Sequence, residues 1–537
     1  MADALLEVKN LSVRFHTSAG PVHAVNAVSW SLNRGEVLAI LGESGSGKSV
    51  SASTILDLLD MPPAEITSGE ILFQGQDILK MSRQDRRALN GKRIAMIFQD
   101  PLSYLNPVYS VGWQIIESLT THGIAPAQAR SEMLQLLDKV GIPDPETSAK
   151  KYPHQFSGGQ RQRLMIAMAL ALKPDVLIAD EPTTALDVTV QAQILVLLEK
   201  LQRETGMGLL IITHDLGVVA EIADRVVVMQ NGEIVEQGTA RDVYRNPQHP
   251  YTKRLIAAAP GKGDMSTGGH SEPILQVSGL VKTYGGFTAL DRVSFDLHQG
   301  ETIAVVGESG SGKSTTAKLI LRLEMADAGQ VHYAGRDILA LSDRDLLAIR
   351  RDIQMVFQDP TQSLNPRMSV FQLISEAWVI HKGIVEKSNW HSRAGDLLVQ
   401  VGLERDHLNR YPHQFSGGQR QRIAIARALA LEPKIIICDE AVSALDVSIQ
   451  AQVIDLLKQL QRDLGISYVF IAHDLPVVRD FADRVVVMQK GKIVEQGTVR
   501  QIFEQPRQPY TQNLLSAALS PDPDIQHQRR LDRAAHR

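Results

Sequence analysis

Two eight-residue loops carry the first recognisable chemistry in the chain: Gly42, Glu43, Ser44, Gly45, Ser46, Gly47, Lys48 and Ser49, and again Gly307, Glu308, Ser309, Gly310, Ser311, Gly312, Lys313 and Ser314. Each fits G-x-x-x-x-G-K-[ST]. In that pattern the glycines let successive backbone N–H groups curl around a phosphate, the lysine reaches the β- and γ-phosphates, and the hydroxyl holds Mg²⁺. Two acid pairs suit the same reaction. Asp180 and Glu181 end the apolar run Val176-Leu-Ile-Ala179, and Asp439 and Glu440 end Ile435-Ile-Ile-Cys438. Open α/β sheets place ligands at the carboxyl ends of buried strands, so the aspartates suit Mg²⁺ and the glutamates suit polarising an attacking water.

Elements that could position these groups are legible around them. Val37-Leu-Ala-Ile-Leu41 and Thr302-Ile-Ala-Val-Val306 read as buried strands delivering the loops, and helix-like stretches follow, which puts bound phosphates at a helix N-terminus. The spacing shows duplication. Gln99 and Gln358, Ser157 and Ser416, Asp180 and Asp439, and His214 and His473 all lie 259 positions apart, whereas Lys48 and Lys313 lie 265 apart. A six-residue difference therefore falls between loop and glutamine, around Met61-Pro-Pro-Ala-Glu65 in the first half. Val226 to Gly238 and Val485 to Gly497 repeat a strand, a glycine turn and a strand, the pattern of a β-hairpin.

The predicted domains are 1–259 and 274–520, with 260–273 as a flexible linker and 521–537 as a disordered tail. The linker holds four glycines and no apolar periodicity, and fourteen such residues span roughly 20 Å. With 56 basic and 60 acidic residues the net charge is −4, which gives no broad electrostatic footprint for nucleic acid. The single cysteine, Cys438, cannot form an internal disulfide and sits in an apolar run, so it is expected to be a buried thiol in a reducing compartment. No apolar stretch has the eighteen or so residues that cross a bilayer, and the start of the chain lacks a secretion signal.

At this point the chain resembles the ATP-binding cassette family over essentially its whole length, twice. Phe156 with Ser157, Gly158, Gly159 and Gln160, and Phe415 with Ser416, Gly417, Gly418 and Gln419, look like that family's signature motif. The resemblance implies a P-loop NTPase fold of α/β class duplicated in tandem, each half with a RecA-like core, an antiparallel β subdomain and an inserted α-helical subdomain. It implies that each signature completes the ATP site of the other half, pairing Lys48 with Ser416 and Lys313 with Ser157. It also gives Gln99 and Gln358 a role at Mg²⁺ and water, makes His214 and His473 the switch histidines on the γ-phosphate, and puts Asp187 and Asp446 in the loop that crosses the interface. Adenine would stack on an aromatic ahead of the loop, for which Phe15, with His16 beside it, and Tyr284 are the candidates. One departure is Glu440-Ala441-Val-Ser, where the first half has Glu181-Pro182-Thr-Thr.

Asp100-Pro-Leu-Ser-Tyr-Leu-Asn-Pro107, its counterpart from Asp359 to Pro366, and the segments Asn246-Pro-Gln-His-Pro-Tyr-Thr252 and Gln505-Pro-Arg-Gln-Pro-Tyr-Thr511 are similar to the oligopeptide and dipeptide importers. Within them the fusion of two ATPase halves is most similar to the subunits that serve microcin C and peptide importers, then to those of glutathione importers. The resemblance implies a peripheral subunit on the cytoplasmic face of a bacterial inner membrane. It would hydrolyse two ATP with Mg²⁺ to drive uptake through two separate permeases fed by an extracytoplasmic solute-binding protein. No iron–sulfur cluster and no nucleic-acid partner are expected. The competing class is a soluble tandem ATPase acting on ribosomes or nucleic acid, but relatives of that kind join their halves by a long charged helix rather than a short glycine-rich linker.

Overall fold

Strands buried on both faces build the centre of each half. The computed structural model describes residues 4–17, 20–184, 186–261, 263, 265–266, 272–443, 445–526 and 528–529. One six-stranded sheet runs in the order Glu233–Thr239, Arg225–Gln230, Val37–Leu41, Gly208–Thr213, Val176–Asp180, Ile94–Ile97, and only its first pair is antiparallel. The alternation of side chains along a strand divides each one between two cores. Leu38, Ile40, Ile178 and Ile212 point into a core shared with the helix Lys48–Ile55 and the antiparallel sheet of Gly20–Leu32, Leu6–Thr17, Ala64–Phe73 and Gln76–Asp77. Leu177, Ala179, Leu209 and Ile211 point the other way, into a core shared with inserted helices that include Val111–Thr121, Pro126–Lys139 and Gly158–Leu170.

The second half repeats this plan. Its sheet runs Ile353–Val356, Ile435–Asp439, Ser467–Ile471, Thr302–Val306, Arg484–Gln489, Lys492–Thr498, and its antiparallel sheet Phe287–His298, Pro273–Tyr284, Ala328–Tyr333, Arg336–Asp337. The duplicated P-loop fold with its two subdomains is thus present in both halves, as are the hairpins around residues 232 and 491. Cys438 is fully buried, and burial pushes its thiol up to about 12.

The described residues group into two compact units. One takes residues up to Leu186, Val190–Ala258 and those from Leu519; the other takes Asp187–Thr189 and Ala259–Ala518. Two features differ from the composition-based reading. Around the linker, Gly261 and Gly263 donate their N–H groups to Asp480 at 2.6 and 3.0 Å, and Met265 packs on the core of the second unit. The tail, expected to be disordered from 521, begins with residues that belong to the first unit, where Asp522 and Asp524 pair with Arg241 and Arg245. Hydrogen bonds and packing hold the first and ion pairs the second, all between segments distant in sequence, which local composition does not encode. Residues 262, 264, 267–271, 527 and 530–537 of those two segments lie outside the described set.

Candidate active sites

Each phosphate loop leaves its strand and turns directly into a helix that begins at the lysine. Gly47 and Gly312 make that turn at φ 96° and 104°, in the left-handed region where a side chain would be strained, and a Cβ on Gly47 would lie 2.2 Å from Ala24 O. Lys48 is 5% exposed; its ammonium donates to Gly42 O and Glu43 O, both at 2.8 Å. Lys313 does the same to Gly307 O at 2.8 Å and Glu308 O at 3.0 Å, and burial holds its pKa below the ordinary lysine value. Two carbonyls thus take hydrogens of each ammonium, and a phosphate is the stronger acceptor placed to replace one of them.

The acid pairs stand at the ends of their strands beside these loops. Ser49 Oγ donates to Asp180 Oδ1 at 3.0 Å, and Ser314 Oγ to Asp439 Oδ1 at the same distance. Burial pushes Asp180 up to about 6 and raises Asp439, against the hydroxyl hydrogen bonds that lower both. Each is an oxygen ligand whose ionised form a cation would favour.

Glu181 and Glu440 take φ values of 47° and 48°, an unfavourable conformation for a residue with a Cβ. Their backbone N–H groups donate to Ile212 O and Ile471 O of the adjacent strand, at 2.8 and 2.9 Å, which holds the chain in this turn. The turn aims the carboxylates at the expected partners. Gln99 Nε2 donates to Glu181 Oε2 at 2.6 Å and His214 Nδ1 lies 3.0 Å from Oε1; Gln358 Nε2 donates to Glu440 Oε2 at 2.7 Å and His473 Nδ1 lies 3.5 Å away. Burial alone would raise Glu181, but His214, Thr184 and the charge of Lys48 together outweigh it; His473 is the main cause lowering Glu440. The structure therefore brings loop, aspartate, glutamate, glutamine and histidine together within each unit.

Ser157 and Ser416 are helix N-caps, each accepting from the N–H of Gln160 or Gln419 at 3.3 Å, while that glutamine's side chain accepts from the serine N–H at 3.0 Å, a reciprocal capping box. Gly158, half-buried, and Gly417, exposed, open the helices Gly158–Leu170 and Gly417–Leu429. Asp187, within the second unit, accepts from Ser309 N at 2.7 Å, and Thr189 Oγ1 donates to Glu308 at 2.7 Å. Asp446 is buried at the start of Val447–Leu464. Tyr284 is 42% exposed; its hydroxyl is hydrogen-bonded to Glu324 and Thr315, the latter one residue past the P-loop, and Lys282 lies over its ring at 5.2 Å. Phe15, by contrast, is half-buried and packs against the core beneath its sheet.

Sequence reasoning missed three residues. Thr184 Oγ1 donates to Glu181 Oε2 at 3.0 Å, and the hydroxyls of Tyr251 and Tyr510 accept from the N–H of Glu43 and Glu308 at 3.2 Å. The signal for the tyrosines was present: they lie 259 positions apart, like the recognised site residues.

A phosphate loop, a strand-end acid pair and a histidine assembled on a parallel sheet define a P-loop ATPase. The chain matches the family described as ABC transporter at residues 25–184 and 290–443, and the family described as oligopeptide/dipeptide transporter, C-terminal region, at 235–275 and 494–536. It is 48% identical to the glutathione import ATP-binding protein GsiA of Salmonella typhimurium, over 98% of this chain and 91% of that one, and 48% identical to the GsiA of Escherichia coli, over 99% and 92%. It also aligns with the solved structure of cbiO1 from Clostridium perfringens, part of the ABC transporter complex cbiONQ, at 29% identity over 48% of this chain and 99% of that one, with a TM-score of 0.41. The chain belongs to the ABC transporter family, in which it is an ATP-binding and ATP-hydrolysing import subunit with two cassettes.

Proposed function

We propose that domains 1–259 and 274–520 bind two ATP molecules and use their hydrolysis to drive uptake of peptides or peptide-like solutes, glutathione among them, through two separate permease subunits. Lys48 and Lys313 keep the Gly42 and Gly307 carbonyls and give their remaining ammonium hydrogens to the β- and γ-phosphates, and the loop N–H groups hold the β-phosphate at the helix start. Ser49, Gln99 and Asp180, and Ser314, Gln358 and Asp439, are the residues that would hold Mg²⁺; hard oxygen donors and a buried carboxylate fit that ion. When bound, it neutralises charge on the phosphates. Glu181 and Glu440 orient the attacking water, and Gln99, His214 and their counterparts hold each carboxylate and report the γ-phosphate. Ser416 to Gln419 complete the site of Lys48, and Ser157 to Gln160 that of Lys313. Tyr284, with an exposed ring face, stacks adenine in the second site, and Phe15 takes that place in the first.

The observation that carries this reading is the duplicated glutamine–glutamate–histidine constellation beside a lysine and a hydroxyl–aspartate pair. The oligopeptide/dipeptide C-terminal region in each half and the glutathione-import relatives support the solute class. Among the described residues no helix is long and apolar enough to cross a membrane, in keeping with a peripheral subunit on the cytoplasmic face of a bacterial inner membrane, with an extracytoplasmic binding protein supplying the solute. No observation favours a ribosome- or nucleic-acid-directed ATPase. The test is reconstitution with the permeases in vesicles. ATP-dependent accumulation of labelled glutathione or a short peptide is expected, and salt-sensitive ribosome binding without uptake would refute it.

A further inference from the structure

We propose that Tyr251 and Tyr510, in the extension that follows each core sheet, are positioning residues for the phosphate lysines, acting through one peptide plane in each loop. This rests on the ATP-binding reading above. A trans peptide is rigid and points its carbonyl and N–H in opposite directions. In the Gly42–Glu43 peptide the carbonyl accepts from Lys48 Nζ at 2.8 Å while the N–H donates to the Tyr251 hydroxyl at 3.2 Å. The Gly307–Glu308 peptide is held in the same way, by Lys313 at 2.8 Å and Tyr510 at 3.2 Å. Lysine and tyrosine thus grip opposite poles of one plane. Without the hydroxyl, a peptide rotation that carries the lysine's carbonyl partner with it loses one of its two restraints.

The tyrosines are themselves anchored. Glu236 accepts from Gln248 N at 2.7 Å and His249 N at 3.0 Å, which fixes the start of the helix Pro250–Ala257 that carries Tyr251. Glu495 does the same with Arg507 N and Gln508 N, at 2.8 and 3.1 Å, ahead of Pro509–Ala517. His249 caps its helix by accepting from Tyr251 N, whereas Gln508 makes no such side-chain cap, yet the tyrosine reaches its loop at 3.2 Å in both units. The contact outlasts the change in its local support. A second position makes the contrast sharper. Tyr244, in the same extension, donates its hydroxyl to Leu216 O at 2.6 Å, away from the loop, and its repeat counterpart 259 positions on is Phe503. The hydroxyl that touches the loop is kept in both halves, and the one that does not is dropped.

The test uses the full chain with Tyr251→Phe and Tyr510→Phe together, against Tyr244→Phe, which removes a buried hydroxyl from the same extension. Steady-state ATP hydrolysis, affinity for a non-hydrolysable ATP analogue and melting temperature are measured on each. The double variant is expected to raise KM for ATP and weaken analogue binding about three- to tenfold, the worth of one hydrogen bond, with kcat within about twofold of wild type. Tyr244→Phe is expected to lower the melting temperature with KM within about twofold of wild type. An unchanged KM in the double variant, or an equal rise in Tyr244→Phe, would overturn the assignment. A wild-type chain that fails to hydrolyse ATP would instead count against the functional reading.

Discussion

The glutamate of the first cassette is held by one more side chain than the glutamate of the second. Gln99, His214 and Thr184 all converge on the Glu181 carboxylate, with His214 at 3.0 Å. Around Glu440 only the glutamine and histidine reach the carboxylate among the described residues, with His473 at 3.5 Å, because Ser443 turns its hydroxyl back to Glu440 O at 2.9 Å. Both glutamates keep the same left-handed backbone and the same strand partner, although Pro182 is replaced by Ala441. The strained turn is therefore set by the sheet, whereas the orientation of the carboxylate is set by residues three positions on. Divergence between the halves has touched the orientation and spared the turn. The first site is the better preorganised of the two, and preorganised positioning is most of what a phosphoryl-transfer site supplies.

The largest expected effect comes from removing the carboxylates. Glu181→Gln with Glu440→Gln lowers steady-state ATP turnover by about two to four orders of magnitude while ATP binding persists. Made singly, Glu181→Gln is the more damaging, and single-turnover kinetics on each variant would read this directly. If Glu440→Gln proves the more harmful, the extra hydroxyl at the first site does not confer an advantage.

Next come the helical inserts, which solve the same packing problem with different residues. The second uses Trp378, 1% exposed and donating to Ala430 O at 2.8 Å; its repeat counterpart is the smaller, fully buried Leu119. The first insert's own tryptophan, Trp113, stacks on Tyr109 and is 47% exposed. Trp378→Ala is expected to cost about 3–5 kcal/mol by leaving a cavity, and Trp113→Ala less than about 1 kcal/mol. Denaturant titration that distinguishes the two halves would check both.

A finer test targets the hydroxyls. Thr184→Val removes the third partner of Glu181 and should lower turnover at the first site about three- to tenfold, the net worth of one typical hydrogen bond. Ser443→Ala removes a bond to a backbone carbonyl and should change turnover less than about twofold. Equal effects from the two substitutions would mean that the difference in carboxylate support is without consequence.

Much of this was legible in the sequence because the groups sit at strand ends or loops whose patterns are local. The lysines, Asp180, Glu181 and their counterparts are read from an apolar run followed by a fixed motif, and buried parallel strands give runs of that kind. Gln99 and His214 became legible through the 259-residue register, a repeat property with no local signature. What stayed hidden were pairings between distant segments. Tyr251 meets Glu43 across 208 residues, and Asp524 meets Arg245 across 279. A tyrosine in a proline-rich turn and an aspartate in a polar tail carry no mark of such partners. Thr184 was hidden for another reason: it lies beside Glu181 in sequence, but the left-handed turn decides where its hydroxyl points.

The smallest expected effect concerns the anchors of the two extensions. Burial would raise Glu236, but the Thr252 hydroxyl, the N–H groups of Gln248 and His249 and the charge of His249 outweigh it and hold the carboxyl below its ordinary value. Glu495 is lowered in the same way, against burial, by the Thr511 hydroxyl, the N–H groups of Arg507 and Gln508 and the charge of Arg507. A carboxyl lowered by folding contributes stability that is fully present above its unfolded pKa near about 4.3 and is lost as pH falls through the folded value. Both extensions should therefore loosen in acid and be insensitive to pH between about 5 and 8. Hydrogen exchange in Pro250–Ala257 and Pro509–Ala517, followed from pH 6 downward, should show protection falling below about pH 4, and Glu236→Gln should remove that step from the first extension only.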